Sequence, residues 1–152
     1  MNMPELENGA LSEASRIARF MGLSRWETVD DLALVGLVRN GFPARTATTV
    51  AKRIDPDGRF VKATDIVPKS TLHRRKDKAL TQDESEKILA LSRVFSEALR
   101  LYHGDSKKVA HFLLREHAML GGRSPIDLAK ESIAGADLVL KLMAKADAGI
   151  AT

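Results

Sequence analysis

The strongest constraint on the fold of this 152-residue chain is a long amphipathic pattern that begins at Thr81. Thr81 and Glu84 have the spacing of a capping box, in which each side chain accepts a hydrogen bond from the other residue's backbone N–H at the start of a helix. Apolar residues then recur at steps of three and four, which is the spacing of one helix face. These residues are Ile88, Leu91, Phe95, Ala98 and Tyr102. The face is wide, which favours burial in a helical bundle or shared burial across a dimer.

Helix signals also fill the chain before this pattern, so the sequence predicts an all-α fold. Thr28, with Asp31 three residues later, predicts the start of one helix, and Gly41 predicts its end. Pro43 suits the first turn of a second helix that runs to Ile54. The residues expected to face inward are Leu32, Val35, Val38, Ala44, Ala47, Val50, Ala51 and Ile54.

Positive charge is concentrated in the middle of the chain, although the formal net charge of the whole is only +4. Residues 39–78 carry eleven basic and four acidic side chains. A short helix around Ile66, a tight turn and a basic helix from Lys69 to Lys76 follow one another, which is the order of a helix-turn-helix. The candidate DNA-binding residues are Lys69, Ser70, Thr71, His73, Arg74, Arg75 and Lys76. A basic connecting helix that only solubilises the protein would give the same pattern, and this alternative stays open.

A second informative stretch lies at residues 119–127, where two adjacent glycines precede a serine and a proline. Glycine permits positive φ, Ser124 suits a helix cap, and Pro125 suits the first helical position, so a tight turn between two helices is predicted. The helix before this turn is expected to be capped by Asp105. Its expected inward-facing residues are Val109, Ala110, Phe112, Leu113 and Leu114. The last helix is predicted to start near Gly135 and to end at Gly149, leaving a C-terminal tail.

The sequence offers no pattern typical of an active site. It contains no cysteine, and its histidines (His73, His103, His111 and His117) lack the spacing of a zinc site. Gly121 and Gly122 are not followed by the lysine of a phosphate-binding loop. No apolar run approaches the roughly 20 residues of a membrane helix, and the first residues do not resemble a secretory signal. We therefore expect a non-enzymatic cytoplasmic protein that needs no cofactor or metal and does not enter a membrane.

Three stretches, in this order and spacing, give the chain a family resemblance from about Asp31 onward. They are Leu-Val-Arg-Asn-Gly-Phe-Pro-Ala at residues 37–44, Ile-Val-Pro-Lys-Ser-Thr-Leu-His-Arg-Arg-Lys at 66–76 with Leu-Thr-Gln-Asp-Glu-Ser at 80–85, and Leu-Gly-Gly-Arg-Ser-Pro-Ile-Asp-Leu at 120–128. In these stretches the chain resembles the Xre/MbcA/ParS-type antitoxins, which are partners of RES-domain toxins in bacterial type II toxin–antitoxin pairs.

The resemblance implies an N-terminal acidic arm (residues 1–30), a helix-turn-helix DNA-binding region (31–80) and a toxin-binding domain (81–152). It implies that the chain neutralises a toxin that consumes NAD or ADP-ribosylates a target. The C-terminal domain and tail of the chain would cover the active-site cleft of this toxin. It further implies repression of the operon by an antitoxin homodimer on operator DNA. The expected toxin-binding residues are Leu120, Gly121, Gly122, Arg123, Ser124, Gly149, Ile150, Ala151 and Thr152. The main alternative is a stand-alone helix-turn-helix transcription regulator without a toxin partner.

Overall fold

The computed structural model describes residues 11–74 and 78–151, with side chains described as far as Gly149. Within these residues the regular secondary structure is helical, and the predicted all-α fold is confirmed. The helices are α1 (Glu13–Phe20), α2 (Asp31–Asn40), α3 (Arg45–Ile54), α4 (Ala63–Ile66), α5 (Lys69–Arg74), α6 (Gln82–Leu101), α7 (Ser106–Leu114), α8 (Pro125–Glu131) and α9 (Ile133–Ala151). Short 3-10 turns lie at Trp26–Thr28 and Ala118–Leu120.

The chain forms two compact units, Met1–Ile88 and Leu89–Thr152. The division falls inside α6, whereas the sequence suggested a boundary before this helix. We call these the first and the second unit.

Helix α2 begins two residues later than the sequence predicted, because Thr28 is not its cap. The carboxylate of Asp30 accepts a hydrogen bond of 2.8 Å from the N–H of Ala33, so Asp30 is the cap. The hydroxyl of Thr28 instead donates to the carbonyl of Arg25 within the preceding turn.

The inner face of α2 also differs from the prediction. Leu34 and Val38 are buried, whereas Leu32 and Val35, which were predicted to face inward, are 79% and 64% exposed. Residues 32–38 are apolar on nearly every side of the helix. The spacing of apolar residues therefore could not decide which side faces the core.

Gly41 connects α2 to the start of α6 through a close backbone contact. Its φ of +90° is one that residues with a side chain rarely adopt. An added Cβ would also lie only 1.9 Å from the carbonyl oxygen of Leu80. The N–H of Leu80 donates to the carbonyl of Phe42 at 2.8 Å, and the N–H of Phe42 donates to the buried hydroxyl of Ser85 at 2.9 Å. The loop between α2 and α3 is thereby held against the segment that leads into α6.

The capping box at the start of α6 is confirmed. The N–H of Thr81 donates to a carboxylate oxygen of Glu84 at 2.9 Å, and the N–H of Glu84 donates to the hydroxyl of Thr81 at 3.2 Å. Four of the predicted apolar residues are buried in the single chain, and Tyr102 is half-buried. The wide face of α6 is therefore already covered and is not left open for a dimer partner.

In the second unit, α7 is capped by Asp105 as predicted. Val109, Phe112 and Leu113 are buried, but Ala110 and Leu114 are exposed, which corrects the predicted inner face. A run of adjacent apolar residues is wider than one helix face, so part of it must turn outward.

Helices α8 and α9 are joined by a single residue, Ser132, which caps α9 by accepting a hydrogen bond of 2.9 Å from the N–H of Gly135. An added Cβ at Gly135 would lie 2.0 Å from the carbonyl oxygen of Leu128, so α8 and α9 are in close backbone contact there. Helix α9 starts before Gly135 and continues through Gly149 to Ala151, so the predicted end at Gly149 was wrong. A helical glycine costs only about 1 kcal/mol relative to alanine, which is too little to end a helix by itself.

Candidate functional site

The basic helix α5 presents a polar face in the first unit. Lys69, Ser70, His73 and Arg74 are exposed, and their positions in the helix span about 140° of its circumference. Thr71 was predicted to face outward with them, but it is only 8% exposed. Arg75 and Lys76, the other two candidates, lie outside the described residues. The structure therefore brings four of the seven predicted residues together on one surface and removes Thr71 from it.

Helix α5 is held in place by the short segment that precedes it. Val67 and Pro68 connect α4 to α5, and both Ile66 and Val67 are buried. The N–H of Leu72 donates to the carbonyl of Pro68 at 3.0 Å and closes the first turn of α5. Burial of Thr71, with Leu72 half-buried, anchors one side of α5 and leaves the basic side free.

The turn between α3 and α4 is organised by the carboxylate of Asp55. Partial burial alone would raise the pKa of Asp55, but hydrogen bonds from the backbone N–H groups of Phe60, Val61, Arg59 and Gly58 outweigh this effect and lower the pKa below 3.8. The bond from Val61 measures 2.9 Å. Asp55 therefore has a structural role in the turn that precedes α4 and the basic helix.

In the second unit, the two-glycine turn closes on itself through backbone hydrogen bonds. The N–H of His117 donates to the carbonyl of Arg123 at 3.1 Å, and the N–H of Gly122 donates to the carbonyl of His117 at 3.0 Å. Gly121 and Gly122 have φ values of +67° and +82°, as the sequence predicted, and both are exposed. Nothing lies within 4 Å of a Cβ added at either residue, so the turn presents bare backbone to its surroundings.

The predicted toxin-binding residues around this turn divide into two groups. Leu120 and Ser124 are each only 6% exposed, and Ser124 caps α8 by accepting from the N–H of Asp127 at 3.3 Å. Arg123 is exposed and forms an ion pair with Glu131. Leu120 and Ser124 therefore hold the turn, while the glycines and Arg123 form its surface.

His117 fixes the start of the turn, and sequence reasoning gave it no such role. Its Nε2 atom lies 3.1 Å from the carbonyl oxygen of Phe112, and its ring contacts the Phe112 ring at a centroid distance of 5.1 Å. The Tyr102 ring contacts Phe112 from another side, at 5.9 Å. No motif surrounds His117 in the sequence, so only the folded structure reveals this cluster.

Residues 98–149 match the family model of the antitoxin Xre/MbcA/ParS C-terminal toxin-binding domain. This part of the chain is similar to that toxin-binding domain. The match covers the end of α6, helices α7 and α8, the two-glycine turn, and α9 as far as Gly149. The predicted resemblance to Xre/MbcA/ParS-type antitoxins is thereby confirmed. A comparison with curated proteins gives no significant match.

The toxin-binding domain carries four large apolar side chains that are more than one-third exposed. They are Leu114, Met119, Ile133 and Leu138. Met119 is 67% exposed and lies two residues before the first glycine of the turn. Exposed apolar side chains beside an open turn are typical of a binding surface. The sequence did not predict that these four side chains are exposed, because exposure cannot be read from residue type.

The C-terminal end of the toxin-binding domain is helical. Gly149 is exposed on α9, and the helix continues through Ile150 to Ala151, while Thr152 lies outside the described residues. The expected tail is therefore, up to Ala151, the last turn of a helix.

Two negative findings apply to the part of the chain that the structure describes. Residues 11–74 and 78–151 contain no cluster of three or more histidine and acidic side chains placed to hold a metal ion. In the same residues, no helix has the length and apolarity required to span a membrane.

Proposed function

We propose that this chain is an antitoxin that neutralises a cognate RES-domain toxin, one that consumes NAD or ADP-ribosylates a target. The observation that carries the proposal is the match of residues 98–149 to the toxin-binding domain. The chain supplies no catalytic group in this proposal and needs no cofactor. It acts by occupying the toxin's active-site cleft, in the cytoplasm.

The surface proposed to contact the toxin combines the two-glycine turn with the end of α9. Gly121 and Gly122 leave exposed backbone that a partner can approach closely, and Arg123 adds a charged group at the surface. Met119 supplies apolar area beside the turn. At the other end, the last turn of α9, which continues to Ala151, would enter the cleft together with Thr152.

Co-expression with the product of the adjacent gene tests this proposal. We expect the neighbouring protein alone to arrest growth, and the pair to grow normally and to co-purify as a complex. Normal growth with the neighbour alone, or arrest that this chain does not relieve, would contradict the antitoxin function.

We further propose that the chain represses its own operon through residues 31–80, as a homodimer within a complex with the toxin. The support is the exposed basic face of α5 and the surplus of positive charge over residues 39–78. Arginine binds guanine in a bidentate manner, and lysine and serine bind phosphates, so this face has the groups that operator DNA requires. Binding to the upstream DNA should weaken steeply as salt concentration rises, because phosphate contacts release counterions.

A stand-alone regulator would share this DNA-binding face. It would bind the same DNA but would not relieve the toxicity of any neighbouring protein. The growth assay and the DNA assay together therefore separate the two functions.

A further inference from the structure

The last turns of α9 are exposed on every side of the helix. Among the side chains described as far as Gly149, Met143 is the last one of this helix that is buried. The residues that follow it are all exposed, namely Ala144, Lys145, Ala146, Asp147, Ala148 and Gly149. At 100° per residue, these positions span about 500° around the helix axis, which is more than a full turn. Burial of α9 therefore ends at Met143, although the helix continues beyond it.

Asp147 continues the inward-facing stripe of α9 past its buried part. Val139 and Met143 are buried, and Asp147 follows at the same step of four residues. A step of four residues turns a helix by only about 40°, so Asp147 lies on the same side of α9, one turn further along. Where the apolar contacts end, this side of the helix carries a carboxylate.

Helix α6 supplies the group that meets this carboxylate. The Nη2 atom of Arg100 donates to Oδ2 of Asp147 at 3.2 Å. Arg100 is itself oriented by Glu97, which lies three residues earlier on α6. The Nε atom of Arg100 donates to the two carboxylate oxygens of Glu97 at 3.1 and 3.0 Å, and its Nη2 atom donates to Oε1 at 2.6 Å. A planar guanidinium held at two of its nitrogens has little freedom to rotate, so its direction toward Asp147 is fixed.

We propose that Arg100, oriented by Glu97, is a positioning residue that holds the last turns of α9 through Asp147. A helix end without buried side chains depends on its own backbone hydrogen bonds, and a short isolated helix is only marginally stable in water. An exposed ion pair contributes little to the stability of a whole domain. Here it acts on a single helix end, where a small contribution is enough to change how often the end unwinds.

The network of Glu97, Arg100 and Asp147 determines how the proposed toxin-contacting helix end is presented. The segment proposed to enter the cleft follows Asp147 directly in the sequence. A partner loses less affinity to ordering when the segment that it binds is already helical and fixed in direction. This consequence rests on the proposed antitoxin function, whereas the network itself does not.

Amide hydrogen exchange of the full-length chain, measured by NMR, tests the network. We expect Asp147→Ala to lower the protection of the backbone amides of residues 148 and 149 by about two- to fivefold, the range that loss of an exposed ion pair predicts. Alanine has the higher helix propensity, so reduced protection could not come from propensity. Asp137→Ala replaces another exposed carboxylate of α9, nearer its start, and should leave the protection of these amides unchanged.

An exchange of charges between the helices provides the decisive comparison. Arg100→Glu and Asp147→Arg should each lower the protection, because each places like charges together. The double variant should restore the protection, because an ion pair with reversed signs forms again. The proposal is overturned if Asp147→Ala leaves the protection unchanged, if Asp137→Ala lowers it equally, or if the double variant fails to recover.

Binding to the product of the adjacent gene tests the consequence for the toxin. We expect Asp147→Ala to weaken this binding by about two- to fivefold, because the helix end must then be ordered on binding. A variant that binds as tightly as the wild type would overturn the positioning role. Failure of the wild-type chain to bind that protein would instead contradict the proposed function and leave the exchange results unaffected.

Discussion

At the residue scale, Gly41 shows how closely two backbone segments approach in the first unit. We expect Gly41→Ala to lower the free energy of unfolding by at least about 2 kcal/mol, because a positive φ and a backbone clash with Leu80 both oppose a side chain. Urea unfolding measures this loss.

Gly36→Ala is the matched control, because Gly36 lies inside α2 and Gly41 follows directly after this helix. Nothing lies within 4 Å of its added Cβ, so helix propensity alone predicts that the free energy of unfolding rises by up to about 1 kcal/mol. A Gly41→Ala variant with wild-type stability would show that the contact with Leu80 can relax without cost.

Gly135 has a similar constraint without a positive φ, since an added Cβ would meet the carbonyl of Leu128 and also lie close to the hydroxyl of Ser132. We expect Gly135→Ala to destabilise the toxin-binding domain by about 1–3 kcal/mol, because α9 must move away from α8 to make room. Thermal unfolding followed by circular dichroism measures the change. Gly149→Ala, in the same helix but with open space around its added Cβ, should be neutral or slightly stabilising. Equal effects of the two substitutions would argue against the close packing of α8 and α9.

Asp55 predicts a pH dependence of stability in the first unit. Its pKa is lowered in the folded chain, so its contribution is present above pH 4 and is lost as the pH falls through the folded pKa. We expect Asp55→Asn to destabilise the chain at neutral pH and to differ progressively less from the wild type in acid. Urea titrations between neutral and acidic pH measure this difference, with Asp57→Asn in the same turn as control. A destabilisation that is constant with pH would mean that the charge of Asp55 is not what holds the turn.

At the element scale, the sequence predicts best the helices whose start and inner face have separate signals. For α6, the capping box and the repeating apolar residues agree, and the structure confirms both. For α2, apolar residues occur on nearly every side of the helix, so the sequence assigned Leu32 and Val35 to the wrong side. The burial of Thr71 on α5 depends on tertiary packing around a short helix, which local sequence does not encode.

The end of α9 gives the element-scale prediction. A chain that ends at Ala148 lacks the last residues of α9, at a point where Ala148 and Gly149 are both exposed. We expect it to keep its stability and to lose toxin neutralisation, because the segment proposed to enter the cleft is missing. Thermal unfolding and the growth assay measure the two properties. A truncated chain that still protects cells would exclude a role for this helix end.

At the scale of the whole molecule, the two units are expected to carry two separable functions. Replacing Arg74 and Arg75 by alanine should weaken operator binding by at least about tenfold and reduce its salt dependence, because two contacts to DNA are lost. Toxin binding should be unchanged, because residues 98–149 carry the toxin-binding domain. Fluorescence anisotropy with operator DNA and a pull-down with the toxin measure the two outcomes.

Lys107 and Lys108, two adjacent exposed lysines in the other unit, provide the control, and their replacement by alanine should leave operator affinity nearly unchanged. Similar losses of DNA affinity in both double variants would indicate a general charge effect and would argue against a specific surface on α5.

Because Ser132 alone joins α8 and α9, the chain cannot gain or lose a residue at this point without reorienting α9. Each inserted residue would rotate α9 by about 100° relative to α8. The buried stripe of Ala136, Val139 and Met143 would then leave the core, and Gly135 would no longer meet Leu128. Surface connections generally tolerate insertions. In this connection, however, any added residue would change the orientation of α9. Members of the family should therefore accept gained or lost residues in longer connections, such as residues 115–117, well before they accept them here.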